Sequence, residues 1–147
     1  MWKGVVVSIH LASRRAGPSV EAREARAVPG SGIEGDRHFG NSAPDRQLTL
    51  IEAEAIEALQ RDYQVAITAG DARRQVVTRG VPLNHLPGRE FQIGAVRARG
   101  IRLCEPCEHL ASLTQASVLK GLVHRGGLRA EILTEGVIRP GDEVTPA

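Results

Sequence analysis

"REFQIGAVRARGIRLC" (residues 89–104) is the stretch that decides the fold class. Apolar and polar residues alternate in places, the period of a strand with one wet and one dry face. Gly94 and Gly100 interrupt that alternation where a curved sheet bends or bulges. Working outward, "RRQVVTRGVPL" (73–83) reads as a strand ending at Gly80, and "WKGVVVSIHL" (2–11) as a β-branched first strand. "LRAEILTEGVIRPGDEV" (128–144) reads as a closing hairpin that turns at Glu135–Gly136 and again at Pro140–Gly141. The segment 12–47 is long, polar and rich in Gly, Pro and Ser, a length that in a compact domain is usually functional or disordered. Within it, "VEAREARAVPG" reads as a further strand leading into a turn.

Two helices complete the pattern. "TLIEAEAIEALQRDY" (49–63) has Thr49 and Glu52 at capping-box spacing, and Ile51, Ala55, Ala58 and Leu59 on one helical face. "TQASVLKGLVHR" (114–125) predicts a second short helix, stopped by Gly126 and Gly127. Many short strands with Gly and Pro turns plus few helices predict a mainly β, barrel-like fold; a doubly wound α/β fold would need a helix between successive strands. There are no repeats and no internal boundary, so residues 1–147 are expected to form one domain.

Composition narrows the function. The chain is 41% hydrophobic but only 3% aromatic, so its core must be aliphatic and it lacks the stacking platforms of single-strand nucleic-acid binders. A net charge of +2 with interspersed signs favours neither nucleic acid nor a membrane surface. No apolar run approaches the roughly 20 residues of a membrane span, and the N-terminus lacks a signal-peptide pattern, which points to the cytoplasm. In a reducing compartment the only two cysteines, Cys104 and Cys107, are not a disulfide framework.

Four clusters carry candidate chemistry. "GIEGDRHFG" (32–40) sets Asp36, Arg37 and His38 in a Gly-rich loop: an acceptor, a cation and a group titrating near neutrality. Its plainer reading is a solvated loop whose Asp caps its own backbone. Arg46, Arg73 and Arg74 could clamp a phosphate through their planar forks, although charges flanking a strand edge explain them more simply. Arg125 precedes the Gly126–Gly127 pair, where a cation also complements a helix C-terminus. In "RLCEPCEHL" (102–110), Cys104, Cys107 and His109 supply three zinc ligands where a structural site needs four, so no structural zinc is expected. Cys107, between Pro106 and a short helical turn, is the better placed working thiol, since a helix N-terminus favours thiolate; an inert buried thiol is the alternative.

The ordered stretches "GIEGDRH", "RQLTLIEAEAIEAL", "RRQVVTRGVPLNHLPGREFQIG", "RLCEPCEHL" and "LVHRGGLRAEILTEGVIRPGDEV" resemble the MOSC family, from about Gly30 to Val144. That family is found at the C-terminus of molybdenum-cofactor sulfurases and as small stand-alone bacterial proteins, and the likeness is to the stand-alone kind. The resemblance implies a pyruvate-kinase-like β-barrel and one functional cysteine, a sulfur carrier or a thiolate ligand of molybdenum. The family's P-C-x-x-L element falls on Pro106-Cys107-Glu108-His109-Leu110, so Cys107 takes that role and Cys104 takes none. It further implies that Asp36, Arg37, His38, Arg46, Arg73, Arg74, Arg125 and Gly126 hold a molybdopterin-type cofactor. The activity implied is reduction of N-hydroxylated compounds or sulfur transfer, with a separate reductase or sulfur-donor protein as partner. The alternative is a barrel that uses Cys107 as an ordinary nucleophile on an anionic small molecule, without molybdenum. Gln75 stands where family members commonly have Asn, which would displace a fixed hydrogen bond.

Overall fold

The computed structural model describes residues 1–14, 17–64, 68–104 and 126–147. Cys107, His109 and Arg125, and the helix expected over 114–125, lie outside the described residues. The strands in chain order are β1 (Gly4–Leu11), β2 (Val20–Ala22), β3 (Ala25–Val28), β4 (Gly32–Ile33), β5 (Leu48–Glu52), β6 (Val76–Arg79), β7 (Glu90–Ile93), β8 (Val96–Leu103), β9 (Leu128–Ile132), β10 (Gly136–Ile138) and β11 (Glu143–Pro146). Among the described residues there is one α-helix, α1 (Ala53–Tyr63), which follows β5 directly.

The main sheet runs β11-β7-β8-β9-β5-β6-β1-β2, and pairing of β11 with β1 closes it into a barrel from which β2 projects as an edge. Closure removes the exposed edges that would otherwise invite aggregation. Strands β10, β3 and β4 form a separate small sheet. Neighbours are antiparallel except β5 and β6, which run parallel with α1 between them, as a parallel pair requires a crossover. No helix among the described residues is long and apolar enough to cross a membrane.

Side-chain alternation divides the strands between two apolar clusters. Leu48, Leu50, Val76, Leu128 and Ala130 fill the barrel with Phe91, Ile93 and Val96. Ile51 and Val77, one residue out of phase with their neighbours, meet Ala55 and Leu59 of α1 on the outside of the wall. The barrel interior is aliphatic apart from Phe91, as the composition requires.

Two sequence expectations are corrected. The helix expected from Thr49 begins at Ala53, and residues 48–52 are strand. Thr49 caps nothing: its Oγ1 accepts from the Gln75 backbone N–H at 3.0 Å, and its own N–H donates to Gln75 Oε1 at 2.9 Å. Leu48, Leu50 and Ile51 are all buried because β5 lies between β9 and β6 with an apolar cluster on each side. The closing hairpin is also not one. β9 pairs β8 and β5, β10 pairs β3, and β11 pairs β7 and β1. The chain turns at Pro140–Gly141 as predicted, but Gly136, expected in the first turn, opens β10 after a bend at Thr134, and each strand takes a partner distant in sequence.

Two glycines are explained by close backbone approach. A Cβ on Gly127, whose φ is +109°, would lie 2.0 Å from the Leu50 carbonyl oxygen. A Cβ on Gly100 would lie 2.1 Å from that of Leu86, beside a register shift between Gly100 and Arg102. The predicted bend at Gly100 is therefore present, and Gly94 occupies the β7–β8 turn.

Candidate functional site: an arginine-lined cleft

β1 carries an irregularity that positions the site. Val6 pairs Thr78 and Ser8 pairs Val77, so Val7 is an extra, unpaired residue. Val6 and Ile9 both enter the barrel core, three positions apart instead of two or four. The bulge thus turns Ser8 and His10 to the outer face, where alternation from Val6 would have sent them inward. Beside them are the outward residues Thr49 of β5, Gln75 before β6 and Arg129 of β9, which flanks the inward Leu128 and Ala130.

His10, Thr49, Gln75 and Arg129 line a cleft of about 60 Å³ with Ala12, Ser19, Asp36, Arg37, His38, Arg73, Arg74 and Cys104, and Ser8 stands behind His10. The Asp36–Arg37–His38 loop is tied down rather than solvated. Asp36 Oδ1 accepts from the Ala12 N–H at 3.2 Å, and Oδ2 accepts from the His38 N–H at 3.2 Å and from Gln75 Nε2 at 2.8 Å. Asp36 therefore does cap its own loop, and is also anchored to β1 and β6. Gln75, the departure from the family pattern, loses no hydrogen bond: its amide bridges Asp36 and Thr49.

Arg73 and Arg74 would point apart in an extended chain. Arg73 adopts a left-handed backbone (φ +61°), closing a short 3₁₀ turn over Gly70–Ala72, and both side chains reach the cleft. Arg74 is buried, with Nε donating to the Gly126 carbonyl at 2.8 Å and longer 3.5 Å contacts to those of Ala72 and Cys104. It is a clamp between chain segments, so the solvated strand-edge reading does not hold for it. Arg73 Nη1 donates to the Gly17 carbonyl, and Arg129 Nη1 to that of Asp45 at 3.2 Å.

The charges are arranged unusually. Arg26, Arg79, Arg97, Arg99, Arg102 and Arg139 each pair with a carboxylate. Among the described residues Arg14, Arg23, Arg46 and Arg89 also pair with none but are exposed, whereas Arg73, Arg74 and Arg129 pair with none within the cleft, and Arg73 Nη2 and Arg129 Nε are buried without an acceptor. A buried N–H left unpaired costs about 1–3 kcal/mol, so the arrangement suits a ligand that brings acceptors. Charge-assisted N–H donors select an oxyanion.

Two imidazoles share the cleft. His10 Nε2 lies 2.8 Å from Ser8 Oγ, and burial lowers its pKa below the ordinary value, opposed by Glu21. His38 Nε2 accepts from Arg37 Nε at 3.2 Å. Burial lowers its pKa too, reinforced by Arg37, Arg129 and Arg46 and opposed by Asp36.

Of the predicted site residues, the structure brings Asp36, Arg37, His38, Arg73 and Arg74 together. Arg46 is exposed and outside the cleft lining. Gly126 contributes only its carbonyl, which receives Arg74. Cys104, assigned no role by the family motif, is a free, buried thiol in the wall of the cleft. Arg129, His10, Gln75 and Thr49 were not singled out as ligand-facing residues. Arg129 looks in sequence like any outward strand charge, and the Val7 bulge hides the direction of His10.

A family model for the MOSC domain matches residues 34–145. No curated protein matches the chain in sequence. Among solved structures, the YuaD protein of Bacillus subtilis is similar with a TM-score of 0.84 at 17% identity, over 98% of this chain and 97% of its own. YiiM of Geobacillus stearothermophilus gives 0.77 at 17% identity, over 98% and 75%. YiiM of Escherichia coli gives 0.68 at 15% identity, over 97% and 69%. At these identities the likeness is one of fold.

Proposed function

Because the chain belongs to the MOSC domain family, a family associated with molybdenum-cofactor binding, we propose that the outer-wall cleft holds a molybdopterin-type cofactor through its phosphate. The observation that carries this is the set of unpaired arginines. Among the described residues, Arg73 Nη2 and Arg129 Nε are buried without acceptors, and Arg74 is a buried cation that pairs with no carboxylate. A phosphate would accept from Arg73 Nη2 and Arg129 Nε, while Arg74, already engaged with backbone carbonyls, contributes charge and holds the walls together. The fit of these residues to a phosphate is good. When bound, the cofactor supplies a redox-active metal that takes soft thiolate sulfur.

Cys107 is the thiol assigned to this role by the P-C-x-x-L element, as molybdenum ligand or persulfide carrier. The activity that follows is reduction of N-hydroxylated small molecules or sulfur transfer, served by a separate reductase or sulfur-donor protein. This chain's own residues bind and orient: Asp36, Gln75 and Thr49 lock the loop and strand ends on which the arginines and imidazoles sit. A second reading is favoured by the same donors, which ask for an oxyanion and not for a metal. On that reading Cys107 is an ordinary nucleophile toward an anionic small molecule.

Metal and pterin analysis of protein made in a host that synthesises the cofactor separates the two. Molybdenum and pterin should co-purify, and charge-removing substitution of Arg73 and Arg129 together should lose both. Sulfate binding without any molybdenum would leave the second reading. Activity lost in Cys107→Ser but kept in Cys104→Ser would assign the thiol; equal loss in both would point to a C-x-x-C pair.

A further inference from the structure

The two imidazoles of the cleft differ in their ability to hold a proton. His38 Nε2 already receives the Arg37 Nε–H at 3.2 Å, so a proton there would set donor against donor. The charges facing it are Asp36 and Arg37 of its own loop, Arg129 of β9 and Arg46 of the turn before β5. Three of these four are cations, and a second charge on the ring would be repelled.

His10 is built the other way. Its Nε2 partner is the Ser8 hydroxyl at 2.8 Å, which donates to a neutral imidazole and, after rotating, accepts from a protonated one. Protonation therefore costs no hydrogen bond. Glu21 faces it from β2, directly opposite in the β1–β2 register. From the other side comes the turn over Gly70–Ala72 with Arg73 following, then Arg74 and Gln75, whose carbonyl accepts the His10 backbone N–H at 2.8 Å. Nδ1 faces that turn, since a Cβ built on Gly70 would lie 3.5 Å from it. The ring thus presents its second nitrogen to the segment that supplies Arg73.

We infer that an oxyanion enters this cleft together with one proton taken from solvent, and that His10 rather than His38 carries it, on Nε2 against the Ser8 hydroxyl, so that the ring adds a positive charge beside the Arg73 and Arg129 donors. The inference rests on the anion-binding reading of the cleft and adds to it the protonation state in which the ligand is held. Burial disfavours the charged form of His10 in the free protein, and a bound anion supplies the compensating charge.

Sulfate, which does not titrate near neutrality, is the probe. It is titrated calorimetrically into the full chain between pH 6 and 8, in two buffers of different ionisation enthalpy. Uptake approaching one proton per sulfate is expected, with affinity rising by up to about tenfold per pH unit as pH falls. His10→Gln should still bind sulfate but lose both the uptake and the pH dependence, whereas His38→Gln should keep them. Imidazole nitrogen shifts of the unaltered protein give the same answer without any variant: saturating sulfate should raise the pKa of His10, and His38 Nε2 should stay an acceptor. Sulfate bound without proton uptake, or uptake that survives His10→Gln and vanishes in His38→Gln, overturns the inference and leaves the anion site standing. No sulfate binding at any pH removes the anion site and the inference together.

Discussion

The two faces of one barrel wall follow different rules. Inward, β1, β5, β6 and β9 present Val, Ile, Leu and Ala, whose contribution scales with buried area and volume. Outward, the same strands present His10, Thr49 and Arg129, flanked by Gln75 and Arg74, each defined by the direction of its donors and acceptors. Exchange of one aliphatic residue for another of like volume costs little inside. The polar residues of the cleft have no such substitute, because a hydrogen-bond partner is met or missed, whereas Ile51 and Val77 on the same outer face pack against α1 by the interior's rule. The protein thus keeps a tolerant interior behind a wall whose other surface is exacting.

The comparison is broken most severely at its largest interior ring. Phe91→Ala should cost about 3–5 kcal/mol in denaturant unfolding, yet leave sulfate affinity of the folded fraction unchanged. Arg74→Ala comes next, at roughly 2–3 kcal/mol, because it strips the charged donor from the Gly126 carbonyl and weakens the contacts to Ala72 and Cys104. Here a cleft residue behaves as a core residue, and chemical unfolding of the variant measures it. Sequence reasoning weighed Arg74 as a phosphate clamp or a strand-edge charge; a single residue type cannot reveal that its donors are already spent on backbone.

Gln75→Asn sharpens the contrast. Asn is one methylene shorter and cannot bridge Asp36 and Thr49 together, so about 1 kcal/mol should be lost, with partial loosening of the 36–38 loop seen as faster amide exchange. Arg73→Gln should cost no more than about 1 kcal/mol, because loss of the bond to the Gly17 carbonyl is offset by removal of an N–H that lacks an acceptor, while sulfate affinity falls about tenfold. A stability loss as large as that of Arg74→Ala would show Arg73 to be structural.

The smallest effect is in pH. The pKa values of His10 and His38 are lowered in the fold from 6.5, so below neutrality the unfolded chain binds more protons than the folded one. The stability these residues contribute is complete above that value and is lost as pH falls through their folded pKa values. Thermal midpoints should decline from pH 7 to 5, less steeply in His10→Gln, and sulfate should counter the decline.

Much of the architecture was legible because β-branched runs and Gly–Pro turns signal short strands directly. Partner choice was not: β9, β10 and β11 are contiguous in sequence, but each is held by strands far along the chain. The Thr49–Glu52 spacing misled because a hydroxyl and a carboxylate three apart suit a helix start, while here the hydroxyl serves Gln75, 26 residues away. The "GDRH" loop and Arg73–Arg74 were legible as candidate clusters, but a solvated loop and strand-edge charges explained them more simply, and only the family resemblance joined them. Arg129 and His10 were not, because their direction depends on strand phase, which residue types alone do not encode.

That phase has a consequence of its own. β1 behaves like a message with a reading frame, and Val7 is the letter skipped to keep it. Its identity matters little, since it is 42% exposed and pairs with nothing, but its being skipped decides whether "SIH" is read as wall or as lining. Replacement of Val7 leaves the frame intact, and so does its deletion, which brings Val6 and Ile9 to the two-residue spacing of a regular strand. Insertion of one more residue beside it shifts the frame, sending a serine and a histidine into the barrel and an isoleucine into the cleft. The site therefore depends on a count of residues as much as on their chemistry. Among relatives of this fold, a one-residue insertion before that triplet would mark a chain whose cleft has been rewritten.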